Sequence, residues 1–343
     1  SKLLYAVGFD YKVTQLTISS GLKFIGAGRK GTRIRTTSSD QNMITVTTDQ
    51  QVVIGDMEIG STVTRTSGAY LYFTGSTQIQ RPQIENVNFV NGYDCIDFQM
   101  AGQFAVSGCY FVSYTNNAIK VKNILEPDSG DSTINNGCVF DAGSTQGIAI
   151  LQTSSGGLRI QNNKFLNGAY HYLGQYDSVR DTSILVWDGN SSESAAVSNI
   201  AFSAVTGTAF SQALITDSQF SANPNSTCIL FADPGFDYIR NAHIADNVFN
   251  LGSNSTAINL GRVQNSTVGV NTIAGNGTNE FGVAIGASSD DIQVFEQNQN
   301  SVTNEYSISG TNIKFTGWQQ KNGQVQTTTN GVFGSLYITN QIT

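Results

Sequence analysis

The chain is expected to fold as an all-β protein, a right-handed, single-stranded parallel β-helix or solenoid. Three features predict it. Apolar positions repeat along the middle of the chain, with successive Phe slots 22 to 29 residues apart where no insertion intervenes. A column of small residues keeps step with them. The composition suits strands and tight corners, with 35 Gly, 4 Pro and only 13% charged residues, against a usual charged share of about 25%.

Composition also narrows the classes. Hydrophobic residues at 39% and aromatics at 10% supply a core, which excludes disorder, since disordered chains join low hydrophobicity to high net charge. Eighteen Lys and Arg against 25 Asp and Glu give a net charge of −7. The longest basic run is Arg29-Lys30 with Arg33 and Arg35 nearby, so nucleic acid, which needs clustered cations, is not an expected partner. No apolar run reaches the roughly 18 residues of a membrane span, and membrane insertion is not expected. Cys95, Cys109, Cys138 and Cys228 form no CxxC pair and read as buried small hydrophobes. With His171 and His243 the only histidines, no zinc site, and no metal or cofactor, is expected. The opening SKLLYAVGFDYK lacks a signal-peptide layout and reads as an edge within a longer protein.

The first coil is expected at about 20–36, where Leu22–Gly28 and Gly31–Ile34 place glycines at tight corners. No helical pattern and no Lys-Ser/Thr pair follows, so a phosphate-binding loop is disfavoured. The repeat then runs as a lead residue, a Phe five places on, and an apolar pair spaced by two. Ile84 leads to Phe89, Ile96 and Phe98, and Val106 leads to Phe111, Ile119 and Val121. Ile160 leads to Phe165; Ile215 leads to Phe220, Ile229 and Phe231; Ile244 leads to Phe249, Ile258 and Leu260. Val268, Ile273, Val283 and Ile285 continue it, and Phe140 with Ile148 and Ile150 keeps it with the lead residue one place off. A spacing of two puts both side chains on one strand face. Ile96, Ile119, Ile148, Ile184, Ile229 and Ile258 are therefore expected in one interior column, on coils about 4.8 Å apart.

Two further columns check the register. Before the apolar pair stand Cys95, Ala118, Gly147, Ser183, Cys228, Ala257 and Gly282, all small. Three places before the Phe slot stand Asn86, Gly108, Gly137, Asn162, Asp217, Asp246 and Val270, read as inward and able to form amide ladders. A β-sandwich has no reason for such columns. The solenoid is expected over 1–315, and the polar 316–343 is expected to cap its last edge or to contact another subunit.

The opening Leu22–Gly28 with Gly31-Thr32-Arg33-Ile34 resembles the Gly-rich first coil of pectate-lyase-like β-helices, especially those of bacteriophage tailspikes and capsule depolymerases. At the level of fold the resemblance covers roughly 13–315. It implies a homotrimer on a virion tail that binds and cleaves a bacterial capsular or O-antigen polysaccharide. It carries no invariant catalytic motif that transfers residue by residue.

Candidate site residues come from the places where the repeat is interrupted. The stretch between Phe165 and Ile184 reads as an exposed loop that gathers Tyr170, His171, Tyr172, Tyr176, Asp177, Arg180 and Asp181. A second, at 126–131, is acidic, and a third carries Asp233, Phe236, Asp237, Tyr238 and Arg240. Aromatic rings with Arg and carboxylates suit sugar binding, so Tyr170, His171, Tyr172, Tyr176, Arg180, Trp187, Phe236, Asp237, Tyr238 and Arg240 are the expected substrate contacts. Asp188 and Asp233 share a slot four residues after the apolar start. As an acid/base pair two coils apart they would stand about 9–10 Å from each other, at the inverting end for glycoside hydrolysis. Glu193 and Asp177, with Asp181 and Asp237, are the reserve acids. As a plain turn former, a strand-end Asp before Gly or Pro needs no catalytic role. Asp217 and Asp246 read as turn-bonding, Asp97 and Lys120 as an exposed pair, and His243 as a surface or turn residue. The alternatives are a polysaccharide lyase on the same fold, drawing on His171, Tyr172, Tyr176, Arg180 and Arg240, a glycan-binding adhesin, and a purely structural segment.

Overall fold

A computed structural model describes residues 2–122, 132–154, 157–176, 184–204, 212–233, 239–316 and 337–338. The described residues contain strands and turns and no helix. They divide into two compact units, 1–175 and 176–343, each a stack of parallel β-coils.

In the first unit one face of the coil is built from two strand segments meeting at a corner, and the other from one. The two-segment face runs through Leu22–Gly26, Val52–Ser61 and Gln83–Val90, then through the pairs Ala105–Ser107 with Tyr110–Val112 and Ser132–Asn135 with Val139–Asp141. The single-segment face runs through Ile44–Val46, Ala69–Phe73, Asp94–Phe98, Asn117–Lys122, Ile148–Ser154 and Tyr170–Tyr176. A short lateral pair, Ile79–Gln80 with Ala101–Gly102, stands apart from both.

The interior forms by in-register stacking. Ile54, Ile84, Val106, Ile134 and Ile160 occupy one column and Phe89, Phe111, Phe140 and Phe165 another, all fully buried. Ring centroids of successive phenylalanines lie 4.9, 4.6 and 4.7 Å apart, with their planes nearly parallel. The spacing between coils imposes this distance, and the offset stacking it allows adds to the burial energy. On the single-segment face Leu71, Ile96, Ile119 and Ile150 stack. Ile150 replaces the expected Ile148, which pairs with Asn117 two places earlier. The apolar pair of that coil begins one strand step later than its spacing from Phe140 implied.

The second unit repeats the plan. Its interior columns are Ile215, Ile244 and Val268; Phe220, Phe249 and Ile273; Ile200, Ile229, Ile258 and Val283; and Phe202, Phe231, Leu260 and Ile285. Ile184 does not join the third of these. It begins the strand Ile184–Asp188 on the two-segment face, in register with Gln212, and is 40% exposed. Trp187 fills the lead slot over Ile215, and Ser192 stands in the Phe slot, over Phe220. Near the end, Lys314-Phe315 pairs in parallel with Tyr337-Ile338, and the rest of the expected cap lies outside the described residues.

The corner columns correct one expectation. Asn86, Gly108, Gly137, Asn162, Asp217 and Asp246 adopt left-handed backbone angles, with φ between 50° and 74°. They turn the chain, as Gly, Asn and Asp can at least cost, and Asp217 and Asp246 are exposed rather than inward. The buried amide ladder lies one residue later. In the second unit the Asn247 amide donates to Asn271 Oδ1 at 3.0 Å and the Asn271 amide to Gln297 Oε1 at 2.9 Å. Asn247 Oδ1 also accepts the Ser218 backbone N–H at 3.0 Å. In the first unit Cys109 and Cys138 occupy that column, and all four cysteines are free and buried.

Replacing Asn271 by Ala removes bonds to Asn247, Gln297 and the carbonyls of Ile244 and Gly269 at once. Urea unfolding is expected to register a loss of about 2–4 kcal/mol, whereas Asp217→Asn, at the same corner two coils earlier, stays within about 0.5 kcal/mol.

Candidate active-site carboxylates

Asp188 and Glu193 lie on one coil of the second unit, on either side of a corner. Strand alternation sends Leu185 and Trp187 into the core, where both are fully buried, and leaves Asp188 half-buried on the outward side. Gly189, with φ 63°, turns the chain into the strand Ser191–Ala195, where Ser192 points inward and Glu193 outward, again half-buried. Thr216, in register with Asp188 one coil on, donates its hydroxyl to Asp188 Oδ1 at 3.0 Å. Ser191 Oγ donates to Glu193 Oε1 at 3.1 Å. The pairing register shifts between Glu193 and Ala195, and Ser194 takes φ 65°, so a β-bulge inserts directly after Glu193. Bulges re-aim side chains and are over-represented beside active sites.

Asp233 is not part of this group. It follows the strand Thr227–Phe231 on the other face of the coil, so the shared slot with Asp188 does not exist, and the inverting separation inferred from it falls too. The cause is the pattern around Ile184: with Trp187 in the lead slot and Ser in the Phe slot, that coil hides its register. Asp233 is exposed, accepts the Ser288 hydroxyl at 2.5 Å, and pairs with Arg262 at 3.6 Å.

In its described part, the expected tyrosine loop is a strand over Tyr170–Tyr176. Tyr170–Tyr176 pairs with Ile148–Ser154, and Tyr172 continues the interior column over Ile150. His171 and Tyr172 are fully buried, as is Trp187, so none of the three presents a surface to a polymer outside the coil. Tyr172 donates to the buried Gln152 Oε1 at 2.6 Å, which explains how an amide sits within an apolar column. Tyr170 is half-buried and Arg240 exposed, in register with Gln264. Asp177, Arg180, Asp181, Phe236, Asp237 and Tyr238 lie outside the described residues, as does the side chain of Tyr176.

Two acids in the first unit are buried: Asp94, which the sequence reading did not single out, and Asp97, which it placed on the surface. Asp94 is buried and its Oδ1 accepts from Asn116 and from the side chain and backbone of Asn117, at 2.7–3.0 Å. Asp97 is buried rather than exposed. Its register partner Lys120 lies 3.6 Å away, and Gln99 donates to it at 2.7 Å. Burial raises both carboxyls above the ordinary range, against the pull of those hydrogen bonds and of Lys120. The two acids closely precede and follow Ile96, an anchor of the repeat; being next to a core position was the available sign of burial. Among the described residues no group of His, Cys, Asp and Glu is arranged to hold a metal ion.

No family model and no curated protein matches the chain. Solved structures do. The mannuronan C-5 epimerase AlgE6 A-module of Azotobacter vinelandii matches with a TM-score of 0.66 at 13% identity, over 91% of this chain and 89% of its own. The pre-mature gene product 12 of bacteriophage phi29 matches with a TM-score of 0.62 at 12% identity, over 91% of this chain and 48% of its own. Tailspike protein 3 of bacteriophage CBA120 matches with a TM-score of 0.53 at 12% identity, over 92% of this chain and 52% of its own. The chain thus spans about half the length of the two phage proteins. What is shared is the parallel β-solenoid. At the level of fold, this bears out the resemblance read from the opening coil.

His171 makes one consequence measurable. Its Nε2–H donates to the Asn167 carbonyl at 2.8 Å, and burial lowers its pKa from the ordinary 6.5 to about 4. The unfolded chain therefore takes up this proton first on acidification. The stability tied to the neutral ring is intact above pH 6.5 and is lost as pH falls toward 4, by roughly 3 kcal/mol in all. Denaturant midpoints followed from pH 7 to 4 are expected to fall less steeply in His171→Gln than in the wild type.

Proposed function

We propose that this chain is the glycan-processing part of a phage tail protein, cleaving a bacterial capsular or O-antigen polysaccharide by endo-glycosidic hydrolysis as a homotrimer. Asp188 and Glu193 are the carboxyl pair. The observation that carries the reading is their placement on one coil, half-buried, across the Gly189 corner and beside the Ser194 bulge. Hydrolysis of a glycosidic bond usually needs two such carboxyls, one as acid and one as base or nucleophile. The fold supports this reading because an epimerase named for mannuronan and a phage tailspike are both built on it. A fold by itself assigns no chemistry, so the weight rests on the acids.

Hydrolysis is favoured over elimination. The lyase reading drew on His171, Tyr172, Tyr176, Arg180 and Arg240; His171 and Tyr172 are buried in the core, and the Tyr176 side chain and Arg180 lie outside the described residues. A binding-only reading drew on the same aromatic loop, which is a core strand in its described part.

Digestion of candidate capsules, with mass spectrometry of the products, tests the reaction. Saturated repeat-unit fragments are expected, and unsaturated sugar ends would mean a lyase. Asp188→Asn and Glu193→Gln are each expected to cut cleavage by about 10²–10⁴-fold with folding unchanged. Asp233→Asn is expected to keep activity within about tenfold. If the first two variants cleave normally and the third does not, the site belongs at Asp233 instead.

A further inference from the structure

The column that carries the amide ladder in the second unit carries sulfur in the first. Cys109 and Cys138 stand immediately before Tyr110 and Val139, which are register partners, so one cysteine lies directly over the other on successive coils. A coil step of about 4.8 Å falls within the roughly 4.4–6.8 Å that separates the Cα atoms of a disulfide. The two sulfurs lean the same way along the stack. Cys138 Sγ accepts the Cys109 backbone N–H at 3.4 Å and lies 3.7 Å from the Val106 carbonyl oxygen. Cys109 Sγ lies 3.3 Å from the Ser107 carbonyl oxygen and 3.6 Å from that of Ile84. The Cys138 sulfur thus already rests against the residue whose sulfur it would join, and rotation about the Cys109 Cα–Cβ bond is the movement that brings the two together.

The remaining cysteines have no such neighbour. Cys95 stands between Tyr70 and Ala118 in its column, and Cys228 between Asn199 and Ala257. Within the pair the two thiols differ. Hydrogen bonds from the Cys109 side chain and from the backbone N–H groups of Cys109 and Gly108 hold Cys138 below the ordinary thiol range, against its burial. Burial pushes Cys109 well above that range. The thiolate is the attacking form, so Cys138 is the first of the two to react. The place also lacks the tie found elsewhere. In the second unit Asn247, Asn271 and Gln297 bond the coils together at this corner, and the weak S–H donors of Cys109 and Cys138 are poor substitutes for those amides.

We propose that Cys109 and Cys138 are a redox-sensitive pair that closes into a disulfide between adjacent coils of the first unit on exchange with a low-molecular-weight disulfide. The Cys138 thiolate attacks one sulfur of the oxidant, which releases one thiol and leaves a mixed disulfide. Cys109 then attacks the Cys138 sulfur of that mixed disulfide and releases the second thiol. Two S–H bonds are lost and one S–S bond forms between the coils. The two electrons and two protons leave with the oxidant as its two thiols. Both sulfurs are fully buried, so exchange waits on local opening of the corner and is slow in either direction. The pair belongs to the first unit alone and does not depend on the reading of Asp188 and Glu193.

Thiol mapping on the full chain tests it. The protein is incubated with oxidised glutathione a few degrees below its thermal midpoint, where local opening is frequent, then alkylated with iodoacetamide in denaturant and digested without reduction. Cys95 and Cys228 are expected to be alkylated, and one linked peptide pair is expected to join Cys109 to Cys138 within a single chain, lighter by two hydrogens. The thermal midpoint of the oxidised protein is expected to rise by about 5–10 °C, and dithiothreitol is expected to remove the rise. Cys109→Ala and Cys138→Ala should each show no linked peptide and no rise, while the double variant Cys95→Ala with Cys228→Ala should keep both. The proposal is overturned if all four cysteines are alkylated after oxidation, or if Cys109 or Cys138 is found linked to Cys95, to Cys228 or to another chain. A midpoint that does not rise on formation of the bond overturns its role as a tie between the coils.

Discussion

Everything in this molecule depends on in-register stacking between successive coils. Within the stack each residue's principal neighbours are those at the same position one coil away. That is why Phe lies on Phe along the Phe89–Phe165 column and amide lies on amide from Asn247 to Gln297. A substitution is therefore felt along a column rather than around a sphere. An apolar column stabilises by excluding water at each step. The amide ladder stabilises by satisfying buried donors and acceptors that would otherwise cost about 1–3 kcal/mol each.

Stacking also decides where function can be placed. Inward positions are committed to the columns, and corners are committed to residues that tolerate left-handed angles. Catalysis is left to the outward rows and to local departures from the repeat. The coil carrying Asp188 and Glu193 departs most clearly: it has Trp and Ser in place of the usual Ile and Phe inside, a Gly corner and a bulge. The larger Trp in one column beside the smaller Ser in the next keeps that coil filled while its outer side is reshaped.

The two units use their outward faces differently. In the first, charges are matched in place, as Arg33 and Arg35 are by Glu58 and Asp10, and an aromatic ring is pinned among them. In the second, Asp188 and Glu193 are each held by a hydroxyl and stand half-buried. Structures sharing this fold include an epimerase module and a phage tailspike, so the solenoid is a scaffold for these rows rather than a source of chemistry.

The solenoid was legible because its periodicity is written in apolar spacing, and apolar spacing is set by the strand pleat. From sequence alone came the Phe and lead columns, the buried free cysteines and the pairing of Asp97 with Lys120. Tertiary structure decided what periodicity cannot express. It moved the amide ladder one residue, from the corner column to the next, because pointing inward depends on the backbone angle at the corner. It turned the Tyr170–Tyr176 loop into a core strand, because a Tyr can fill an interior slot when Gln152 stands ready to accept its hydroxyl. It separated Asp188 from Asp233, because a coil whose lead slot holds Trp and whose Phe slot holds Ser gives no register to count from. The pairing of Cys109 with Cys138 was invisible for a related reason: the two are 29 residues apart in sequence, and only the coil brings them side by side.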